Sequence, residues 1–241
     1  MKLKRYYYNG ELKQGNIVVL EGDEFHHLKN VMRTNVGDLV SLFNGTKIDA
    51  IAQVKNISKN KAELYIQEIL ENNSEPAIEV TLFQAVCKGD KLSLITQKIT
   101  ELGATNMTVF YSQYTDIKDK TSKLDKLERV SISASKQCGR SSILNVEGVV
   151  SFAEMLNKAK ALDKVFVAYE NADQTSLYDS LSKNANYKKI GVIIGAEGGF
   201  SEKEIEIINE NKFEIVTLGK RILRTETAAI ASVAQIMFAC E

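Results

Sequence analysis

The pattern of apolar and polar positions divides the chain into two parts. In the first 72 residues, short segments rich in apolar positions predict β-strands, and Gly, Asn and Lys separate them. These segments are residues 16–20, 38–45, 48–57 and 61–70. Residues 22–33 differ, because their apolar positions recur at helical spacing and predict a helix. We therefore expect a small barrel of about 70 residues, a fold that presents one face to a ligand.

Residues 71–76 form a polar stretch that contains the only proline of the chain, and beyond it the pattern changes. Strands are predicted at 77–86, 106–111, 164–170, 188–195 and 213–219, and helices at 90–103, 122–137, 151–161, 201–211 and 225–239. Short apolar strands that alternate with helices predict an α/β fold with a parallel sheet covered on both faces. The predicted domains are residues 1–72 and residues 73–241.

The composition limits the classes of partner. Lys and Arg number 31, as do Asp and Glu, so any polyanion has to be met by a local basic patch. No apolar run reaches the roughly 20 residues of a membrane span, and no signal peptide is evident, so we expect a cytoplasmic protein. Cys87, Cys138 and Cys240 lie far apart, which favours reduced thiols. His26 and His27 lack a third ligand at suitable spacing, so we expect no metal site.

A glycine-rich loop follows the predicted strand 188–195. The sequence "VIIGAEGGFSEKEIE" (192–206) places three glycines and Glu197 between this strand and a helix that Ser201 and Glu204 cap. The carboxyl end of a parallel strand is where open α/β sheets bind ligands. Glu197 would repel a phosphate, and the spacing matches no phosphate-binding motif, so a ligand with hydroxyls, amines or positive charge fits better. A tight turn that merely requires glycine remains an equal alternative on these residues alone.

A second loop of similar design follows the predicted strand 213–219. In "LGKRILRTETAAIA" (218–231), an apolar strand end leads through Arg221 and Arg224 into a helix that is apolar enough to be buried. Two strands that follow one another thus end in elaborate loops at one sheet edge, more than connection requires. A solvated charge pair would explain the arginines. We favour a functional Arg224, because an arginine beside a buried helix start is costly unless it is paired or used.

The two loops together resemble the paired signatures of the ribosomal RNA small-subunit methyltransferase E family, part of the SPOUT superfamily. Three further blocks resemble the family in the expected order, at 25–38, 88–104 and 135–140. The resemblance implies a PUA-like RNA-binding barrel, followed by a domain whose end forms a deep trefoil knot. It also implies that the protein methylates N3 of a uridine in 16S ribosomal RNA with S-adenosylmethionine, as a homodimer.

The resemblance also assigns residues to a bent cofactor held largely by backbone groups. By position, the cofactor-binding residues would be Ala168, Tyr169, Glu170, Ile194, Gly195, Glu197, Gly198, Gly199, Leu218, Gly219, Ile222, Leu223, Thr225, Thr227 and Ala228. One departure is Ala196, where the family usually has proline. Alanine permits a similar φ without enforcing it, so we expect cofactor binding weaker by a few tenths to about 1 kcal/mol.

The expected chemistry concerns Arg224 and Glu226. Methyl transfer to N3 requires that nitrogen to lose a proton, so Arg224 would stabilise the developing uracil anion. Glu226 would orient Arg224 or help to move the proton. RNA contact is expected from basic residues with interleaved aromatics, namely Lys4, Arg5, Tyr6, Lys29, Arg33, Lys88, Lys136 and Arg140.

Two other functions compete with methyl transfer. A non-catalytic RNA-binding or ribosome assembly factor could retain the scaffold, and it would bind RNA without S-adenosylmethionine. The intact second motif with Arg224 and Glu226 weighs against it. An α/β enzyme that uses a nucleotide would need phosphate-binding chemistry, which Glu197 and the absence of a P-loop disfavour.

Overall fold

The computed structural model describes residues 3–115, 124–170, 175–182 and 187–240. The chain divides into two compact units. The first contains residues 1–75 and 135–143, and the second contains 76–134 and 144–241. The linear division predicted from the sequence, after residue 72, makes no provision for the 135–143 segment. The first two residues of the predicted helix 122–137 lie outside the described residues.

The first unit is built on a five-stranded sheet. Its strands are β1 (Lys4–Tyr7), β2 (Ile17–Leu20), β3 (Leu39–Phe43), β4 (Ile48–Ile57) and β5 (Ala62–Glu71). Their order is β1-β3-β4-β5-β2, with β1 parallel to β3 and the other pairs antiparallel. Alternate residues of β4 and β5 point to one face of the sheet. There they join the apolar core of the first unit, which includes Ala52, Val54 and Leu64.

The helix predicted at 22–33 is interrupted. It begins as α1 (Gly22–His26) and continues as a π-helical turn over His27–Val31. The amide of Met32 donates to the carbonyl oxygen of His27, five residues back, and Arg33 then takes a left-handed φ of 48°. A single wide turn of this kind accommodates one extra residue. It ends the helix earlier than periodicity predicted.

The second unit contains a six-stranded sheet in which every pair is parallel. Its strands are β6 (Glu79–Ala85), β7 (Asn106–Phe110), β8 (Asn145–Val150), β9 (Lys164–Ala168), β10 (Lys189–Ile194) and β11 (Glu214–Val216). The strand order is β11-β9-β10-β6-β7-β8. The predicted parallel α/β architecture is therefore present.

Helices connect the strands of this sheet. They are α2 (Lys91–Glu101), α3 (Leu124–Cys138), α4 (Phe152–Ala159), α5 (Leu177–Ser182), α6 (Glu202–Glu210) and α7 (Thr225–Cys240). Alternate residues of β6 pack into different clusters, because successive side chains of a strand point to opposite faces. Val80 and Leu82 join the cluster that contains residues of α2 and α7, whereas Phe83 and Ala85 join the one that contains residues of α4 and α6. Both faces of the sheet are thus covered.

Three described elements have no counterpart in the sequence predictions. They are β1, β8 and α5. The residues of β1 were interpreted as a basic and aromatic surface, and β8 is mostly half-buried without clear alternation. Among the described residues, no helix is both long and apolar enough to cross a membrane.

Candidate active site

The carboxyl ends of β9, β10 and β11 supply the three loops that surround the main cavity of the second unit. Residues 168–170 follow β9, residues 195–200 follow β10, and residues 217–224 follow β11. The loops after β10 and β11 lie on one sheet edge, as predicted. Their strands are successive in sequence, but β9 lies between them in the sheet. For this reason the loop after β9 lies between the other two.

The cavity has a volume of about 350 Å³, within the range of small-molecule and cofactor sites. It is lined by Lys91, Ala168, Glu170, Ile194, Gly195, Ala196, Glu197, Gly199, Phe200, Ile222, Leu223, Arg224, Thr225 and Ala228. A smaller recess of about 70 Å³ adjoins it. Its lining adds Tyr169, Thr217, Leu218, Gly219 and Arg221 to shared residues of the main cavity. The linings of both cavities contain the apolar side chains and glycines that the two loop sequences indicated.

The glycines of the 195–200 loop are required by the way the loop folds on itself. The amide of Gly199 donates to the carbonyl oxygen of Ala196 at 3.0 Å, and Gly199 has a φ of 69°. A Cβ at Gly199 would lie 2.8 Å from Oε1 of Glu170, and one at Gly195 would lie 3.2 Å from the carbonyl carbon of Gly199. The turn therefore explains these two glycines, and it also brings the loop backbone to the cavity wall.

The carboxylate of Glu197 anchors this loop to the segment that starts α2. Its Oε1 accepts from the backbone amide of Lys88 at 2.9 Å and from Nζ of Lys91 at 2.8 Å. Partial burial alone would raise the pKa of Glu197, but these two donors outweigh burial, and the pKa lies below its usual value. Glu197, which the family resemblance assigned to the cofactor loop, thus has two protein donors on its Oε1.

Lys91 is a cavity residue that sequence analysis missed. Its Nζ also lies 3.6 Å from Oε2 of Glu226 on α7. The hydrogen bond to Glu197 raises the pKa of Lys91, and the neighbouring Glu226 raises it further. The fold places Lys91 next to the 195–200 loop, and no spacing in the sequence indicates that position.

A buried amide joins the two loops on the other side. Gln84, at the end of β6, has no exposed surface, and its Nε2 donates to Oγ1 of Thr225 at 3.0 Å. The hydroxyl of Thr225 in turn donates to the carbonyl oxygen of Gly195 at 2.7 Å. Thr225 was predicted from the family pattern, but Gln84 was not, because it lies inside an otherwise apolar strand. Buried polar groups of this kind are hydrogen-bonded and fix the elements that they join.

The structure does not bring every predicted residue to a cavity. Arg224 lines the main cavity and is exposed, whereas Glu226 does not line it. Oε2 of Glu226 is buried and has no hydrogen-bond partner; its nearest described cation is Lys91. Gly198 and Thr227 also lie outside both linings, and a Cβ at Gly198 would meet Tyr114 at 3.1 Å.

The residues predicted to contact RNA differ in how far their side chains are exposed and in what they contact. Lys29, Arg33 and Lys88 are exposed, with Nζ of Lys29 on the carbonyl oxygen of Ser58 at 3.1 Å. Nζ of Lys4 donates to the carbonyl oxygen of Met32 at 2.8 Å.

Tyr6 requires a correction: its ring is wholly buried and its hydroxyl lies 2.8 Å from Oγ1 of Thr34. A buried ring has no face on which a base can stack, so Tyr6 is a core residue of the first unit.

The other three cations form ion pairs within the first unit. Arg5 pairs with Asp49, Lys136 with Glu24, and Arg140 with Glu75. The Arg140–Glu75 pair is the most enclosed, with side chains 5% and 9% exposed and 2.7 Å between Nη2 and Oε2. The pairs of Lys136 and Arg140 hold the 135–143 segment in the first unit, and Arg5 adds hydrogen bonds to the carbonyl oxygens of Ser135 and Arg140. Arg140 in particular directs its guanidinium into the unit, so its position is that of a structural residue.

Comparison with known proteins defines the class. Residues 73–237 match the model of an RNA methyltransferase domain, and residues 20–67 match that of an RNA methyltransferase PUA domain. The chain is 31% identical to ribosomal RNA small subunit methyltransferase E of Bacillus subtilis, over 96% of this chain and 93% of the relative. The equivalent protein of Rickettsia conorii is 30% identical, over 98% of this chain and 96% of the relative. These matches and the fold define an RNA methyltransferase with an N-terminal PUA-like domain.

Solved structures give the same result. A ribosomal RNA small subunit methyltransferase E from Neisseria gonorrhoeae, bound to S-adenosyl methionine, has a TM-score of 0.90 and 29% identity, over 99% of this chain and 98% of that one. A Legionella pneumophila protein in complex with the cofactor SAM has a TM-score of 0.91 and 28% identity, over 100% and 99%. The chain belongs to the ribosomal RNA small subunit methyltransferase E family. The predicted SPOUT-type fold with a PUA-like domain is confirmed, and the trefoil knot stays a prediction.

Proposed function

We propose that this protein transfers a methyl group from S-adenosylmethionine to N3 of a uridine in 16S ribosomal RNA. The observation that carries the proposal is the cavity of about 350 Å³ whose walls are the two sequence motifs. Family membership supports RNA as the methyl acceptor, and two relatives of almost equal length were solved with S-adenosylmethionine bound. The N3 position of uridine rests on the resemblance of the motifs alone.

The residues of the cavity suit this cofactor. The glycine turn exposes backbone at the wall, and Ile222 and Leu223 provide apolar surface for an adenosyl group. Glu170 lines the cavity, and carboxylates accept hydrogen bonds from hydroxyls such as those of a ribose. When bound, the cofactor supplies an electrophilic methyl group on a sulfonium centre. We assign its binding to the linings of the two cavities, which include Ile194 and Ala228.

Arg224 is the residue that we assign to the reacting base. It is the exposed arginine of the main cavity lining, and its guanidinium can donate to a uracil oxygen as N3 loses its proton. Charge that develops in a partly dry cavity is stabilised more strongly than in water. Glu226 does not line the cavity, which disfavours direct proton transfer by its carboxylate, and the cation described next to it is Lys91.

Three further proposals concern partners and location. The exposed cations Lys29, Arg33 and Lys88 would contact ribosomal RNA, which their exposure permits. The protein would act as a homodimer in the cytoplasm. Light scattering on the purified protein at micromolar concentration should give the dimer mass; a fully active monomer would contradict the dimer.

The function is tested by mass mapping of 16S ribosomal RNA from a strain that lacks this protein. We expect one uridine to lose a methyl group, and the wild-type chain to restore it. The Arg224→Ala chain, expressed at the same level, should not restore it. If all uridines kept their methylation in the deletion strain, the proposed function would be wrong. If a different base lost a methyl group, methyl transfer would stand and only the assignment to N3 of uridine would be wrong.

A further inference from the structure

Lys91 lies where three elements of the second unit meet. It comes from the first turn of α2 and lines the main cavity. Its Nζ is 2.8 Å from Oε1 of Glu197, in the loop after β10, and 3.6 Å from Oε2 of Glu226, in the first turn of α7. One ammonium group is thus shared by two carboxylates that belong to the two opposite sequence motifs.

The ammonium group of Lys91 balances the negative charge of two partly buried carboxylates. Burial deprives Oε2 of Glu226 of solvent, and no described residue forms a hydrogen bond with it. The side chain of Glu226 is 14% exposed and that of Lys91 is 28% exposed. Without the lysine, each carboxylate would lose the ammonium group beside it, and a carboxylate that loses its counter-charge in a partly buried position is costly.

We propose that Lys91 is a positioning residue of the cofactor site, which holds the loop 195–200 and the start of α7 at the distance that S-adenosylmethionine requires. Lys91 acts through Glu197 and Glu226. The backbone amide of Lys88, in the segment before α2, donates to the same oxygen of Glu197, so two neighbouring groups of this segment hold the carboxylate. The proposal rests on cofactor use and is independent of which base receives the methyl group.

The variant Lys91→Met removes the charge and keeps the length of the side chain. We expect its dissociation constant for S-adenosylmethionine, measured by calorimetry, to be about tenfold weaker than that of the wild type, because residues in one ionic network are coupled. Lys91→Arg should recover most of the affinity. The double variant Lys91→Met, Glu197→Gln should bind no more weakly than the weaker single variant.

The matched control is Lys98→Met on the same helix. Lys98 pairs with Glu101 at 2.9 Å, within α2, so its ion pair joins no loop of the cavity. The affinity of the Lys98→Met variant for the cofactor should equal that of the wild type. Thermal unfolding of every variant identifies any that fails to fold. If Lys91→Met does not fold, the affinities of Lys91→Arg and Glu197→Gln are compared with that of the wild type instead.

A pH series separates positioning by charge from simple packing. The groups that face Lys91 are Glu197, Glu226 and the buried Cys87, and Glu170 and Arg224 line the same cavity. In Lys91→Met, Glu197 loses the ammonium donor that helps to lower its pKa, so its carboxylate should take up a proton more readily than in the wild type as the pH falls from about 8 to about 5.5. The ratio of variant to wild-type dissociation constants should then approach one. Use of the ratio cancels the titration of the cofactor itself.

The outcomes are distinct. A weakened Lys91→Met with a ratio that falls at low pH, together with an unaffected Lys98→Met, supports the proposal. Unchanged affinity in Lys91→Met, equal losses in the two lysine variants, or a ratio independent of pH overturns it. Failure of the wild type to bind S-adenosylmethionine would instead contradict the proposed function.

Discussion

Arg221 and Arg224 lie in one loop, three residues apart, but only Arg224 lines the main cavity. If Arg224 stabilises the uracil anion, Arg224→Ala should lower kcat by about 100-fold or more, the effect of removing one charge-stabilising donor. The affinity for S-adenosylmethionine should stay within about threefold of the wild type. Single-turnover kinetics and calorimetry measure the two quantities separately.

Arg221→Ala is the comparison for this experiment: because Arg221 lines the smaller recess assigned to the cofactor, any loss should appear in the affinity for S-adenosylmethionine, and kcat at saturating cofactor should stay near that of the wild type. If the affinity and the turnover of Arg224→Ala fell in parallel, Arg224 would be a cofactor or RNA clamp.

Thr225 provides a second test at the scale of one residue. Thr225→Val keeps the shape of the side chain but removes the hydroxyl that donates to Gly195 and accepts from Gln84. Two buried polar groups would lose a partner, at a cost of about 1–3 kcal/mol. We expect a lower unfolding free energy in urea and weaker cofactor binding. Thr225→Ser, which retains the hydroxyl, should resemble the wild type, and equal behaviour of the two variants would contradict the role of this bond.

Sequence patterns predicted some of the site residues and missed others for a physical reason. Arg224 and Gly199 lie in short motifs, and motifs are visible along the chain. Lys91 and Gln84 act through residues more than 100 positions away, Glu197 and Thr225 respectively. A single sequence carries no signal of such pairing through space. Tyr6 shows the reverse error, since a tyrosine between basic residues was interpreted as surface and is buried.

At the scale of elements, the 195–200 loop depends on the left-handed conformation of Gly199. Gly199→Ala should destabilise the fold by about 1–2 kcal/mol through backbone strain. It should also weaken cofactor binding, because the new Cβ would lie 2.8 Å from Oε1 of Glu170 at the cavity. Unfolding in urea and calorimetry measure the two effects.

Gly15→Ala is the control, since Gly15 has a φ of 87° with open space around it, in the first unit. It should lower stability to a similar degree and leave the cofactor affinity unchanged. Equal affinities of the two alanine variants for S-adenosylmethionine would show that the Gly199 turn does not shape the cofactor site.

The predictability of the elements followed the strength of their periodicity. The strands β4 and β10 and the helices α2 and α7 were predicted within a few residues, because their apolar positions repeat over several turns or pleats. The short strand β1 was missed because its pairing with β3 is set by distant residues. The π-helical turn at His27–Val31 could not be predicted, because the apolar spacing of residues 22–33 fits an ordinary α-helix.

At the scale of the whole molecule, the first unit depends on the buried pair of Arg140 and Glu75. Glu75→Gln breaks the pair and leaves the guanidinium without its counter-charge, so it should cost about 3 kcal/mol of unfolding free energy at pH 7. The exposed pair of Lys158 and Glu147 is the control, and Glu147→Gln should cost less than about 1 kcal/mol. Urea unfolding followed by circular dichroism measures both.

This pair also predicts a pH dependence. Burial would raise the pKa of Glu75, but the hydrogen bonds and charge of Arg140 outweigh burial, so its pKa in the folded protein lies below the usual 4.5. The stabilisation is therefore present above pH 4.5 and is lost as the pH falls through the lowered value. The difference between wild type and Glu75→Gln should shrink below about pH 4.5. A difference that stayed constant down to pH 3 would contradict the assignment.

The architecture of the whole chain was predictable only in part. Alternation of strands and helices predicted the parallel sheet, but hydrophobic patterns do not specify strand order, so the position of β9 between β10 and β11 could not be foreseen. The return of residues 135–143 to the first unit depends on ion pairs with Glu24 and Glu75 and on a hydrogen bond from Ser141 to Asp49, partners that only the folded chain reveals. A trefoil knot is a property of the chain path and has no signature in periodicity.

The most direct test of the account is a reaction with the purified protein. Small ribosomal subunits from the deletion strain are incubated with S-adenosylmethionine that carries a deuterated methyl group, and the nucleosides of the 16S ribosomal RNA are analysed by mass spectrometry. We predict deuterated 3-methyluridine at one position, and its absence with the Arg224→Ala protein. Label in another nucleoside, or no label with a wild-type protein that binds the cofactor, would contradict the central claim.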